Sequence, residues 1–150
     1  MPDLRLGAIM STFDRASAQQ MLTRVFARWI QELDLSIERL DPDGAVLRMP
    51  FSDRLCRDNG VICGQALMSL ADTAMVFAVS SAAGAYRPMT TVDQSMHFLR
   101  PAANADVLAH ARVVRLGRTM AFGSITLTSE GDERPVAMAQ IAYALLNEGK

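Results

Sequence analysis

One carboxylate stands alone in a long apolar run. Between Asn59 and Tyr86 the single charged residue is Asp72, set in the middle of Gly-Gln-Ala-Leu-Met-Ser-Leu-Ala-Asp-Thr-Ala-Met-Val-Phe-Ala-Val. Burying an ionised group is expensive unless it is paired or hydrogen-bonded. A lone acid at the centre of a hydrophobic helix is therefore a member of a structural network or a working group. We read Asp72 as a working group, a base suited to activating water.

Gly64 opens the same run. The first N–H groups of a helix lack intrahelical acceptors and carry the positive end of its dipole. Such an N–H can meet a developing oxyanion, and glycine lets a substrate approach the backbone closely. Thr91 offers a hydroxyl that can hold water, although threonine is also common in strands. Arg57 and Asn59 lie in the polar loop before the run, where they are candidates for substrate contact. Arg100, Arg115 and Arg118 follow downstream, and guanidinium groups suit phosphates.

Cys63 precedes Gly64, at a place where thiols become nucleophilic. No neighbouring histidine is placed to activate it, so it reads as a small wall residue; Cys56 reads as inert. The two cysteines are seven apart, and His97 and His110 are remote from them. A structural zinc site gathers four nitrogen or sulfur ligands, so no metal is expected.

These residues need elements to position them. Residues 13–33 carry Met21, Leu22, Val25, Phe26, Trp29 and Leu33 at spacings of three and four, which predicts one amphipathic helix. Residues 1–12 are expected to be flexible, and 13–150 to form one domain. The turn Asp41-Pro42-Asp43-Gly44 separates two alternating runs, Leu35–Leu40 and Ala45–Phe51, as in a hairpin. After the apolar helix, four strands are expected over Thr91–Phe98, Asp106–Leu116, Thr119–Ser129 and Pro135–Leu146. In the first, Val92, Met96 and Phe98 fall on one face, and Asp93, Ser95 and His97 on the other. The links between strands are short, which favours an antiparallel meander. An α+β domain follows, with a sheet and a partner subunit covering the apolar helix.

Half the residues are hydrophobic and the net charge is -1. No basic surplus points to nucleic acid or to a membrane surface. The run from Gly64 to Ala85 nearly has the length of a membrane span, but Asp72 at its centre would cost about 2.5–3.5 kcal/mol. No secretory signal pattern is seen at Met1, and a cytoplasmic protein with reduced thiols is expected.

Three segments then carry a resemblance. They are Gly60-Val61-Ile62-Cys63-Gly64 leading into Leu70-Ala71-Asp72-Thr73-Ala74, then Thr91-Val92-Asp93, then Phe98-Leu99-Arg100-Pro101. In order and separation they resemble the hotdog-fold acyl-CoA thioesterases of the phenylacetate-degradation type, over roughly residues 34–146. The resemblance implies a curved antiparallel sheet around a long central helix, here with an extra N-terminal helix. It implies thioester hydrolysis in a homodimer or dimer of dimers, with coenzyme A as part of the substrate and no retained cofactor.

By the same resemblance Asp72 is the catalytic carboxylate, acting as general base on water or attacking the acyl carbonyl directly, while the Gly64 N–H polarises the carbonyl from the other subunit and Thr91 helps place water. Arg57, Asn59, Cys63, Gln65, Arg100 and Arg118 are the candidates for binding substrate, and Met68, Met75 and Met89 for lining an acyl pocket. The family usually starts its helix with His-Gly-Gly, where this chain has Cys63-Gly64-Gln65. Arg57 stands where many members carry asparagine. That variation motivates a rival reading, a non-catalytic acyl-CoA binding or sensing protein. A hydratase ranks last, because no histidine lies in or beside the central helix.

Overall fold

The computed structural model of the chain describes residues 13–147. The expected flexible segment 1–12 and positions 148–150 of the expected domain lie outside the described residues.

The N-terminal segment corrects the reading of one continuous helix. It forms α1 (Arg15–Met21) and a single turn, α2 (Arg28–Gln31), with the chain bent between them. Asp14 caps α1 by accepting from the Ser17 N–H over 2.8 Å. The helix stops after Met21, where the Thr23 hydroxyl turns back onto the Gln20 carbonyl over 2.8 Å. The bend has a packing reason. Phe13 and Phe26 both reach the ring of Phe77, with centroids 6.4 and 5.6 Å away. On a straight helix those two positions would stand about 20 Å apart. Met21, Leu22 and Leu33 are buried as expected, while Val25 and Trp29 are left exposed.

Strands β1 (Ser36–Asp41) and β2 (Gly44–Met49) form the anticipated hairpin around Pro42 and Asp43. A loop containing a short 3-10 turn, Asp53–Leu55, leads into α3 (Gly64–Ala83). Four strands follow: β3 (Met89–Phe98), β4 (Val107–Leu116), β5 (Met120–Ser129) and β6 (Pro135–Leu145). All six strands make one antiparallel sheet in the order β1-β2-β4-β5-β6-β3.

That order corrects the simple meander. β4, β5 and β6 are consecutive neighbours, but β3 lies at the far edge beside β6. The break at Arg100-Pro101 is a crossover rather than a hairpin. It is anchored where the Ile62 N–H donates to the Ala102 carbonyl over 2.8 Å, with Ala102 buried.

The sheet curls around α3, giving the hotdog fold that the resemblance implies. Leu70, Ala71, Ala74, Met75, Phe77, Ala78 and Val79 of α3 are fully buried. By length and composition α3 could cross a membrane, yet most of it is packed under the sheet. Burial of each large side chain, such as Leu70 or Phe77, contributes about 1.5–3 kcal/mol. Small residues on the facing strands let the helix sit close. At Gly123 a Cβ would stand 1.8 Å from the Met75 Cε, so any side chain there would displace α3 or Met75. Met75 is therefore core rather than pocket wall.

Candidate functional site

Asp72 lies on the third turn of α3, half-buried, on the side facing β3. Thr91 Oγ1 donates to Asp72 Oδ1 over 2.8 Å. The Tyr143 hydroxyl, from β6, donates to the same oxygen and lies against the Asp72 main-chain carbonyl. Burial, and then the negative charge of Asp72, push the Tyr143 phenol far above its ordinary range, so it remains a donor.

Plain alternation would place Thr91 with Asp93 and Ser95 on the outer face of the sheet. A bulge prevents this. Thr91 pairs with Tyr143 and Asp93 with Ala142, so Val92 is an extra residue and the parity of β3 changes there. Thr91 turns inward with Tyr143, and Val92 is left 59% exposed rather than sharing the face of Met96.

Gly64 is the first residue of α3, and Cys63 before it is extended at φ -69°, ψ 150° with no side-chain cap. The ring of Phe98, at the end of β3, lies against Gly64: a Cβ there would meet Phe98 Cζ at 3.2 Å. Gly64 lines a surface cleft of about 440 Å³ with Arg57, Asn59, Val61, Leu67, Phe98, Leu99 and Arg100. This brings together Gly64 and three of the expected substrate-binding residues. Arg100 also donates to the Pro135 carbonyl over 2.9 Å, and Asn59 Oδ1 accepts from the Val61 N–H over 3.3 Å. The Asn59 side chain thus shapes its own loop.

Three expected binding residues lie elsewhere. Cys63 and Gln65 flank Gly64 without lining the cleft; Cys63 is a half-buried free thiol and Gln65 is exposed. Arg118 is exposed in the β4–β5 turn, next to the Met89 end of β3: the Leu145 N–H donates to Thr119, and Met89 pairs with Leu145. That is the opposite end of β3 from Phe98 and the cleft. Cys56 is a second free thiol, its pKa pushed up by burial, which disfavours the thiolate.

Gly64 and Asp72 are also apart. Eight residues of helix separate them, about 12 Å at 1.5 Å per residue. That separation is several times the roughly 3–3.5 Å at which a reacting carbonyl meets its nucleophile. Two residues of the site escaped the reading of the sequence. Phe98 belongs to the Phe98-Leu99-Arg100-Pro101 segment that carries the resemblance, yet nothing in the sequence gives it a place at the site. Tyr143 sits in the inward register of β6 among Ala137, Ala139, Ile141 and Leu145, and its hydroxyl in that apolar row was the available signal.

Comparison with known proteins gives a consistent picture. A sequence model of the thioesterase superfamily matches residues 59–136. A protein of Halobacterium salinarum provisionally named an esterase is 30% identical over 117 residues, covering 73% of this chain and 76% of its own. One from Pseudomonas aeruginosa with the same kind of name is 34% identical over 101 residues, covering 67% and 74%. A solved structure from Silicibacter sp. TM1040, provisionally named a thioesterase, superposes with a TM-score of 0.81 at 32% identity, over 91% of this chain and 94% of that one. A Haemophilus influenzae thioesterase superposes equally well, with a TM-score of 0.81, but at 22% identity it speaks to the fold alone.

Proposed function

Because this chain belongs to the thioesterase superfamily and is a thioester hydrolase, we propose that it hydrolyses acyl-CoA thioesters at a site shared by two copies of the chain. The observation that carries this reading is the Asp72 carboxylate, held by Thr91 beside the free edge of the sheet.

The geometry of that edge supports a shared site. β3 offers ten residues of unpaired strand edge, with Val92 and Phe98 exposed on it and Leu99 exposed just beyond its end. Two-fold antiparallel pairing of β3 with β3 of a second copy sets the Thr91 end of one strand opposite the Phe98 end of the other. Thr91 carries Asp72 with it, and Phe98 marks Gly64. The pairing therefore removes the 12 Å separation by supplying the two groups from different copies. It also carries Arg118 of one copy toward the Arg57 and Arg100 cleft of the other, where the three guanidinium groups can receive the phosphates of coenzyme A.

In the reaction the acyl carbonyl oxygen points at the Gly64 N–H. Asp72 Oδ2 takes a proton from water as the water oxygen bonds to the acyl carbon. The oxyanion is held by the helix N-terminus, a contribution of about 2.7–4 kcal/mol for one such donor. Collapse breaks the C–S bond, and the thiolate leaves with the proton held by Asp72. The same oxygen could attack the carbonyl directly, and both routes depend on Asp72.

Thiol release from short, long and aromatic acyl-CoAs, with wild type beside Asp72→Asn, tests the reading. Turnover that collapses in a folded Asp72→Asn protein is the expected result. Full activity in that variant would overturn the role of Asp72. Binding of thioesters without turnover in either protein would favour an acyl-CoA sensor instead.

A further inference from the structure

The Asp72 carboxylate is tethered at one oxygen. Thr91 and Tyr143 both donate to Oδ1, and among the described residues none donates to Oδ2. The two hydroxyls stand on a single rung of the sheet, since Thr91 and Tyr143 are direct cross-strand partners. We infer that Tyr143 is a positioning residue for thioester hydrolysis, its hydroxyl joining that of Thr91 to fix Oδ1 and leave Oδ2 as the working oxygen. The inference rests on the role proposed for Asp72.

Three observations support it. First, the phenol touches both the main-chain carbonyl and the carboxylate of Asp72, so it spans the rotatable bonds that aim the carboxylate. Second, the ring is 2% exposed and packed between α3 and β6, so the hydroxyl is a rigid reference point. Third, a phenol in this place is costly unless it has a partner, and phenylalanine would fill the same space without that demand. The inward residues of β6 around it are all apolar. Its proton is also secure. Burial and the adjacent charge hold Tyr143 protonated through any pH used for assay. A carboxylate aimed this way gains from small corrections, because a misplacement of 1 Å can cost roughly a hundredfold in rate.

The test is Tyr143→Phe, assayed for kcat and KM beside Asp72→Asn, with Tm measured for each. The expected result is a folded protein whose kcat falls about tenfold to a hundredfold while KM stays near wild type. Wild-type kcat in Tyr143→Phe would overturn the inference, and so would a lowered Tm with unchanged kcat, which marks a purely structural hydroxyl. If Asp72→Asn is fully active, the underlying reading of Asp72 fails instead, so the two failures are distinct. A second probe keeps both ring and hydroxyl. The chain has two tyrosines, so 3-fluorotyrosine incorporated in a Tyr86→Phe background labels Tyr143 alone. Fluorine alters the donor and barely alters the packing, so kcat should change while KM and Tm do not. An identical kcat would overturn the assignment.

Discussion

Replacing Gly64 by proline deletes one hydrogen-bond donor and puts the ring Cδ in place of its hydrogen. Gly64 is the first residue of α3, the helical position where proline is best tolerated, because the N–H there has no intrahelical acceptor. Proline also restricts the residue before it to extended geometry, and Cys63 already sits at φ -69°, ψ 150°. The variant is therefore expected to fold. The new Cβ stands 3.2 Å from the Phe98 ring, which is half exposed and can give by a few tenths of an ångström. Gly64→Ala adds the same Cβ but keeps the N–H, so it controls for that contact. Loss of the donor should lower kcat by about 10²–10³, the equivalent of about 2.7–4 kcal/mol. Thiol release at saturating acyl-CoA, with Tm for each protein, reads the difference between the two variants. A folded Gly64→Pro protein with the kcat of Gly64→Ala would refute the assignment of the oxyanion donor.

Two further outcomes follow from the sheet. Val92→Lys places a charge on the free edge of β3, a device that blocks strand pairing. Sedimentation should then find a folded monomer that has lost thioesterase activity, and an active monomer would contradict the shared site. Asp106 accepts from the Phe51 N–H over 2.8 Å and from Arg48 Nη1 over 2.9 Å, and these two partners hold its carboxyl below its ordinary 3.8. The folded value lies below the unfolded one, so this stabilisation is complete above 3.8 and is lost as pH falls through the folded value. Urea unfolding should show Asp106→Asn less stable than wild type at neutral pH, with the gap closing in acid; a gap independent of pH would refute it.

What the sequence reveals, and what it hides, divides by range. The hairpin around Pro42 and Asp43, the bounds of α3 and those of β4 to β6 are written in local turn chemistry and periodicity. The place of β3 beside β6 is not, because strand order is a long-range choice and eight residues suffice for the crossover. The split after Met21 was hidden for a related reason: Phe77 draws in both Phe13 and Phe26, and spacing along one segment cannot register a shared distant partner. Asp72 and Gly64 stood out by charge and by position at a helix start. The contact of Thr91 with Asp72 depends on a one-residue bulge at Val92, and strict alternation predicts the opposite face. Tyr143 was camouflaged by the apolar register around it. Arg118, grouped by chemistry with Arg100 and Arg115, lies at the opposite end of β3 from Arg100, a separation that spacing along the chain does not register.

The most direct test of the shared site is complementation between two inactive chains. Asp72→Asn retains Gly64, and Gly64→Pro retains Asp72. On the proposed pairing, coexpression gives mixed dimers in which one site receives both intact groups and the other receives neither. Random pairing makes half the dimers mixed, so activity should return to about a quarter of wild type. If the site instead lay within one chain, every site in the mixture would carry one lesion, and activity would stay at the level of the two variants alone.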